Sequence, residues 1–587
     1  HKVIDPLFLD ALKAELEEIK AIQVQRTRVQ RLRAFQDKLA SLKFLDPAAG
    51  SGNFLTESYL CLRRLENEVL EEIFSRGLFT GERTMQIGLE ATENLIKVSI
   101  GQFYGIEIND FAVTVAKTAL WIAESQMMKR TEDIVHMALD FLPLKSYVNI
   151  VEGNALRIDW NEVIPAAELD YIMGNPPFVG ARLMDSAQKQ DILRVFGNIK
   201  DVQDLDYVTC WYKLAAIMMR GTTIEAAFVS TNSIAQGSQV PLLWGVLYHE
   251  YSIHINFAYQ YFKWASQSND PAAVFCVIIG FSTRNRERKV LYANNGTYSI
   301  TNNINPYLIS GSDSYVTARK DPLCDVPKMI FGNQPRDGGA LILSYEEKCE
   351  IIQREPSLEK WIHIYMGADE FIKGKKRYCF WLSHITPEEI KRSPTLYKRV
   401  SDVRDFRLSS KAKTTNGYAK VPHLFAQMTQ PENEDYLLIP SVSSDRRKYI
   451  PIGFMKSSTI SSNAVQIIPN SSLYHFGVLT SNVHMAWMRT ICGRLGTDYR
   501  YSKEIVYNNF PWPTPTNEQK AKIERTAQAI LDARALYPDA SLADLYDELT
   551  MPPELRTAHQ QNDRAVWEAY GKAWNIGKES ECVAYLM

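Results

Sequence analysis

The sequence predicts an α/β protein: a seven-stranded, mainly parallel sheet with a helical lead-in, a following α+β domain and a C-terminal helical tail. Three observations predict it. Short apolar runs alternate with longer helical patterns over residues 44–281, as KFLDP, FYGIEI, NIVEGN, DYIMG, AAFVST, INFAYQYF and AVFCVIIGF. Alternation of this kind demands crossovers, which make neighbouring strands parallel and cover the sheet on both faces. Shorter elements rich in Asn, Gly, Pro and Ser then run to NNFPWPTPT (508–516), after which helical periodicity returns. A chain of 587 residues also exceeds what one hydrophobic core supports.

Taken in order, Leu7, Leu12, Leu16, Ile19 and Ile22 form a 3.6-period apolar stripe, continued by Leu32, Phe35 and Leu39, so residues 1–44 are expected as a helical spacer. Residues 45–285 carry the sheet. Its last two strands are separated only by KWASQSNDPA, too short for a helical crossover, which predicts an antiparallel hairpin at one edge. The polar stretch STRNRERK (282–289) and the Pro-rich NNFPWPTPT bound a domain at 286–515. The helices of 516–587 flank Pro552-Pro553.

Composition narrows the function classes. Charged residues are 23% and hydrophobic ones 45%, which excludes a disordered or collagen-like chain. The longest strongly apolar run, Ala272–Phe281, falls short of the roughly 20 residues that cross a bilayer, and the N-terminus lacks a signal-peptide layout. The expectation is a cytoplasmic protein without a membrane partner. Eight scattered cysteines form no CxxC pair, so neither a disulfide framework nor a metal site is expected. Net charge is −2, yet residues 373–420 hold thirteen Lys and Arg against Glu388, Glu389, Asp402 and Asp405. That local excess predicts attraction to phosphates.

The chemistry concentrates at strand ends. The first strand ends in Asp46, followed by Pro47-Ala48-Ala49-Gly50-Ser51-Gly52-Asn53-Phe54 and a helix. Two glycines before a helix let a ligand approach the backbone, although Gly-x-Gly alone is equally a tight turn. Leu55 stands where a dinucleotide fingerprint needs its third glycine, which counts against NAD. The second strand ends in Glu107-Ile108, whose carboxylate can accept from both hydroxyls of a ribose. The third ends at Asn154-Ala155, where an amide and a backbone N–H can meet an adenine edge. Together they describe an adenosine-type pocket.

The fourth strand ends in Asn175-Pro176-Pro177-Phe178. An aromatic amine such as adenine N6 is a poor nucleophile, because its lone pair is delocalised into the ring. Two acceptors on its hydrogens, the Asn175 side-chain oxygen and the Pro176 carbonyl, draw it toward a tetrahedral geometry. The prolines stiffen the loop and remove competing donors, and Phe178 offers a stacking face.

The ordered set DPAAGSGNF, GIEIND, EGNAL and NPPF resembles the class I S-adenosylmethionine-dependent methyltransferases that act on amino groups of DNA, with the motif order of the gamma group and their Rossmann-like sheet. Further segments, including ALWIAESQ, AFVSTNSIAQG, FGNQPRDGGALIL, SSDRRKYIPIGF and DYRYSKEIVYNNFPWP, resemble the MmeI-like branch of single-chain restriction-modification enzymes, over nearly the whole chain. The resemblance implies a site-specific, adenine-specific DNA methyltransferase using S-adenosylmethionine. Asp46 would meet the methionine amino group, Gly50 and Gly52 would admit the cofactor, Glu107 would hold its ribose and Asn154 its adenine. Ala48, Asn53, Phe54, Ile108, Ala155 and Asn175 would complete that site, while Asn175, Pro176, Pro177 and Phe178 bind the target adenine. Ala49 stands where relatives often carry Cys, and Asn154 where many carry Asp.

Since N6 is hidden in a duplex, the target base must swing out of the stack. Double-stranded DNA is the expected partner, along with other restriction-modification or phage-defence subunits. Arg446, Arg447, Lys448, Arg494, Arg500 and Lys503 are the expected DNA contacts. Relatives often carry an N-terminal nuclease; Asp10 with Glu18-Ile19-Lys20 and Asp337 with Glu346-Glu347-Lys348 are expected to mimic its carboxylate pattern by chance, and no such domain is expected within the roughly 44 residues before the first motif. The rival readings are a glutamine methyltransferase acting on protein, and a catalytically silent DNA-specificity subunit.

Overall fold

The computed structural model describes residues 1–74, 95–135, 148–264, 274–571 and 578–587. The chain divides into two compact units, one of His1–Ala235 with Gln239–Tyr315 and the other of Gln236–Ser238 with Val316–Met587.

The first unit is built on one sheet of nine strands, β1 Phe44–Asp46, β2 Phe103–Glu107, β3 Asn149–Glu152, β4 Tyr171–Gly174, β5 Glu225–Thr231, β6 His254–Trp264, β7 Val274–Ser282, β8 Lys289–Tyr292 and β9 Tyr298–Thr301. Their spatial order is β3-β2-β1-β4-β5-β7-β6-β8-β9. Strands β1 to β5 are mutually parallel. The chain enters at β1, builds outward to β3 on one side, then returns to build β4 and β5 on the other. The reversal falls between β1 and β4, where Leu45 pairs with Ile172. Loops diverge from such a switch point, and the crevice they leave at the strands' carboxyl ends is where a doubly wound sheet takes its ligand.

Two expectations are corrected. The sheet has nine strands rather than seven, because KVLY and YSIT at 289–301 pair as β8 and β9 beside β6. The antiparallel pair β6–β7 is internal, not an edge hairpin: β7 inserts between β5 and β6, and β6 goes on to pair with β8. Residues 265–273, within the segment expected to join that pair, lie outside the described residues. The helical lead-in buries its apolar stripe in the sheet's own core. Leu7, Phe8, Leu12, Leu16 and Ile19 belong to that cluster, and the Phe8 ring lies 4.9 Å from Phe44 and 5.2 Å from Tyr171.

Among the described residues the second unit contains three small sheets, the two four-stranded ones each contributing to an apolar cluster. The largest antiparallel one runs Ile330–Phe331, Val465–Pro469, Tyr436–Pro440, Gly453–Met455 in spatial order. Helices Asn517–Ala535 and Pro553–Ala569 pack with Leu473–Thr480, and Asn562 Nδ2 donates to the Gly477 carbonyl at 2.7 Å. Among the described residues no helix is long and apolar enough to cross a membrane.

Candidate active site

Asp46 ends β1 as a buried carboxylate, 1% exposed. Its Oδ1 accepts the Ala48 N–H at 3.0 Å. Its Oδ2 has no hydrogen-bond partner among the described residues, an omission that typically costs about 1–3 kcal/mol. Burial first, and then the charge of Glu107, push this carboxyl up to about 7 against the pull of the Ala48 N–H. A buried acid with one idle oxygen is what a cationic or N–H-bearing ligand would satisfy. After Asp46 the chain turns through Gly50 (φ +53°) and Gly52 (φ +78°) before helix Asn53–Phe74, with open space where a Gly50 side chain would stand. Ala48 and Phe54 are partly buried, and Asn53 is exposed.

Glu107, at the end of β2, is aimed by two backbone donors: Gly50 N–H to Oε2 at 2.8 Å and Asn109 N–H to Oε1 at 2.9 Å. Each carboxylate oxygen keeps a lone pair for a further donor. Beside it, Ile108 is 67% exposed and Phe111, on the first turn of helix Asp110–Val135, is 75% exposed. Phe111 was not singled out from sequence, because only its exposure distinguishes it from a core aromatic. The β3 loop is tied to β2 by the Gly153 N–H, which donates to the Glu107 carbonyl at 2.8 Å. Asn154 Oδ1 accepts from Leu156 N–H at 2.9 Å, and its Nδ2 donates to Asp191 at 3.1 Å. Its amide is thus already oriented by the protein. Ala155 is buried, and its carbonyl accepts from Trp160 Nε1.

The β4 loop lies against the β1 loop. A side chain at Gly174 would meet Asp46 Oδ1 at 2.6 Å, so the backbone entering the Asn-Pro-Pro-Phe loop passes directly beside the Asp46 carboxylate. Asn175 and Pro177 are exposed, Pro176 is buried, and Phe178 is partly buried against the sheet's core. Behind the loop, Val179 accepts from the Tyr207 N–H at 3.0 Å and Ala181 N–H donates to Asp206 at 3.2 Å. Trp211 Nε1 donates to the Pro47 carbonyl at 3.0 Å. These anchors, with Asp191, are the residues that sequence reasoning missed. They sit in no motif, and only the fold brings them to the loops.

In the second unit the expected DNA contacts separate. Arg446, Lys448 and Arg500 are exposed. Arg447 is partly buried, and burial pushes its guanidinium down from its ordinary range. Arg494 lies 4.3 Å over the Tyr499 ring and donates to Thr497 at 2.8 Å; Lys503 pairs with Glu504 at 3.6 Å. The basic stretch 373–420 is less free than its charge count implied. Lys373 pairs with Asp369, Arg377 with Glu370 and Arg399 with Glu347, acids outside the counted window. Arg407 is 0% exposed and donates to the carbonyls of Pro335, Arg336, Tyr418, Val421 and Leu424. Of the two chance carboxylate patterns, Asp10 lies on helix Asp10–Lys20, while Asp337 accepts the N–H groups of Gly339 and Leu341 inside a turn.

Three family models match the chain: the MmeI DNA-methyltransferase domain over residues 21–293, the MmeI target recognition domain over 310–514 and the MmeI C-terminal domain over 515–587. A relative from Bacillus subtilis, DNA methyltransferase A, is 39% identical over 576 residues, covering 97% of this chain. The chain spans 63% of that relative's length. A solved structure of the Type IIL restriction-modification enzyme MmeI in complex with DNA is 43% identical, covers 99% of this chain and 76% of its own, and superposes with a TM-score of 0.87.

Proposed function

The chain belongs to the MmeI family, and from that premise we propose that it methylates N6 of a specific adenine in duplex DNA, as the modification activity of a restriction-modification or phage-defence system. The observation that carries this reading is the contact of two strand ends at the switch point: the Asp46 carboxylate, with its idle oxygen, stands against the backbone that enters Asn175-Pro176-Pro177-Phe178.

The residues present fit S-adenosylmethionine. Asp46 Oδ2 lacks a partner, Gly50 leaves its backbone open, and both Glu107 oxygens are oriented by backbone N–H groups. When bound, this cofactor supplies an electrophilic methyl group on a sulfonium. In this reading Asp46 accepts from the ammonium of the methionine part, Glu107 accepts from the ribose hydroxyls, and the exposed faces of Ile108 and Phe111 cover the adenine. Asn154 is already tied to Leu156 and Asp191, so it presents a fixed edge rather than a side chain that must be ordered on binding.

The second purine enters on the β4 side. Asn175 Oδ1 and the Pro176 carbonyl accept the two N6 hydrogens, which takes the amine lone pair out of conjugation and aims it along the open side of the loop. Pro176 and Pro177 have no N–H to compete for that lone pair. Phe178 stacks on the base and offsets part of the few kcal/mol that unstacking a base costs. The positive charge that N6 gains is balanced at these acceptors until one of its protons passes to water. Exposed Arg446, Lys448 and Arg500 are the phosphate contacts of this reading; such contacts set register and affinity, while base edges are read by other polar side chains.

The test is transfer of labelled methyl from S-adenosylmethionine to duplex DNA by the wild-type chain and by Asn175→Ala. Incorporation by the wild type, and far slower incorporation by the variant, is the expected result. Equal incorporation by both removes the catalytic loop from the account.

A further inference from the structure

Between β4 and β5 the chain inserts helix Ser186–Phe196, which no motif predicted to bear on the chemistry. Its Asp191 is 4% exposed. The carboxylate nevertheless collects three donors: Arg157 Nε on Oδ1 at 2.8 Å, and Asn154 Nδ2 at 3.1 Å with the Tyr207 hydroxyl at 3.0 Å on Oδ2. Burial pushes its pKa up, yet the donors from Arg157, Tyr207 and Asn154 outweigh burial and hold it below the ordinary carboxylate range. The group is an anion that three partners share.

Those partners belong to opposite sides of the crevice. Asn154 and Arg157 lie in the β3 loop, which is bonded to Glu107 through the Gly153 N–H at 2.8 Å. Tyr207 belongs to the segment that holds the β4 loop. Its N–H donates to Val179, the residue after Phe178, at 3.0 Å, and the adjoining Asp206 accepts from Ala181 at 3.2 Å. Asp206 is fixed in turn by Thr231 Oγ1 at 3.1 Å and by Ser233, beyond the end of β5. One turn further on, Trp211 reaches back to Pro47 at 3.0 Å. Asp191 is therefore the joint at which the loop facing the cofactor's adenosine and the loop facing the target base meet.

We infer that Asp191 is a positioning residue that locks the β3 loop to the β4 loop, so that filling the cofactor site raises affinity for the flipped base. A joint of this kind couples two sites because ordering either loop orders the other, and the coupling is reciprocal. A carboxylate that merely satisfied buried donors would contribute to stability and to activity alike, without linking the two ligands.

The inference rests on the adenine-methylation reading, and the experiment separates the two. The probes are sinefungin, a non-reactive analogue of the cofactor, and a duplex with 2-aminopurine in place of the target adenine, at the site located by sequencing of methylated DNA. Fluorescence of 2-aminopurine reports unstacking. In the wild type the analogue should tighten binding of the unstacked duplex by about tenfold, within the usual range for coupled sites. Asp191→Asn turns an amide toward three donors and should reduce the coupling to within about twofold of none. Single-turnover methyl transfer should slow, while Asp191→Glu restores part of both. Tyr207→Phe removes one donor and keeps the ring beside Trp211 at 5.4 Å; it should lose an intermediate share of the coupling and carries the test if Asp191→Asn does not fold. Wild-type coupling in a folded Asp191→Asn or in Tyr207→Phe overturns the inference, as does a wild type that methylates without coupling. A wild type that transfers no methyl to adenine overturns the underlying reading instead.

Discussion

The sheet unit and the basic stretch at 373–420 place their charged groups by different rules, and the contrast is instructive. In the sheet unit, Asp46, Glu107 and Asn175 stand at the carboxyl ends of adjacent parallel strands. A residue's position along its strand decides where it ends up, so a local motif is enough to locate it. In the basic stretch, the acids that pair with Lys373, Arg377 and Arg399 come from outside the counted window, and Arg407 is enclosed by backbone carbonyls. Charge counted along a sequence window overstates the charge available to a phosphate. A strand-end motif suffers no such discount, because the strand carries it to the edge.

Breaking the contrast on its structural side should give the largest effect. Arg407→Met leaves five carbonyls without their side-chain donor, and a loss of about 3–5 kcal/mol in the stability of the second unit is expected by denaturant titration. If stability is unchanged and only DNA binding falls, Arg407 is a phosphate contact after all. Next comes Asn175→Ala, expected to slow single-turnover methyl transfer by about 10²- to 10³-fold, the usual cost of losing one oriented hydrogen-bonding group. Cofactor affinity, measured by calorimetry, should stay within about twofold of wild type if, as proposed, the side-chain acceptor of Asn175 serves the target base; a larger loss would place that side chain on the cofactor as well.

Asp46 sharpens the comparison through pH. Its pKa near 7 lies above the ordinary 3.8, so between those values the folded, ligand-free chain holds a proton that the unfolded chain has released. The native state binds more protons there, and stability from this group falls as pH rises from about 4 to 7. Asp46→Asn should flatten that slope and raise the melting temperature of the ligand-free protein. Cofactor affinity should move oppositely: if ionised Asp46 meets the ammonium as proposed, wild-type affinity drops by up to about tenfold per unit as pH falls below 7, and Asp46→Asn abolishes the dependence. Wild-type affinity that is flat from pH 5 to 8 contradicts the assigned contact. The smallest effect belongs to the exposed cations. Arg446→Ala should leave stability within about 0.5 kcal/mol and lower the slope of log affinity against log salt by about one. An unchanged slope removes Arg446 from the DNA surface.

Much of the first unit was legible because its signals are local. Each strand–helix alternation names a crossover, and crossovers determine the parallel core. What was not legible depends on partners distant in sequence. The strands at 289–301 resemble loop in isolation and become strands only beside β6. The packing of the lead-in helices is visible only once Phe8 is seen against Phe44 and Tyr171. Asp191 and Tyr207 have no local signature at all; a single buried carboxylate in a polar helix becomes informative only when its three donors are known.

The most direct measurement is to digest duplex DNA treated with the wild-type chain and S-adenosylmethionine to nucleosides, and to identify the methylated product by mass spectrometry. The account predicts N6-methyldeoxyadenosine from wild type and, in the same reaction time, about 10²- to 10³-fold less from Asn175→Ala. Methylated cytosine, methyl groups found only on protein, or equal amounts of product from both chains would contradict it.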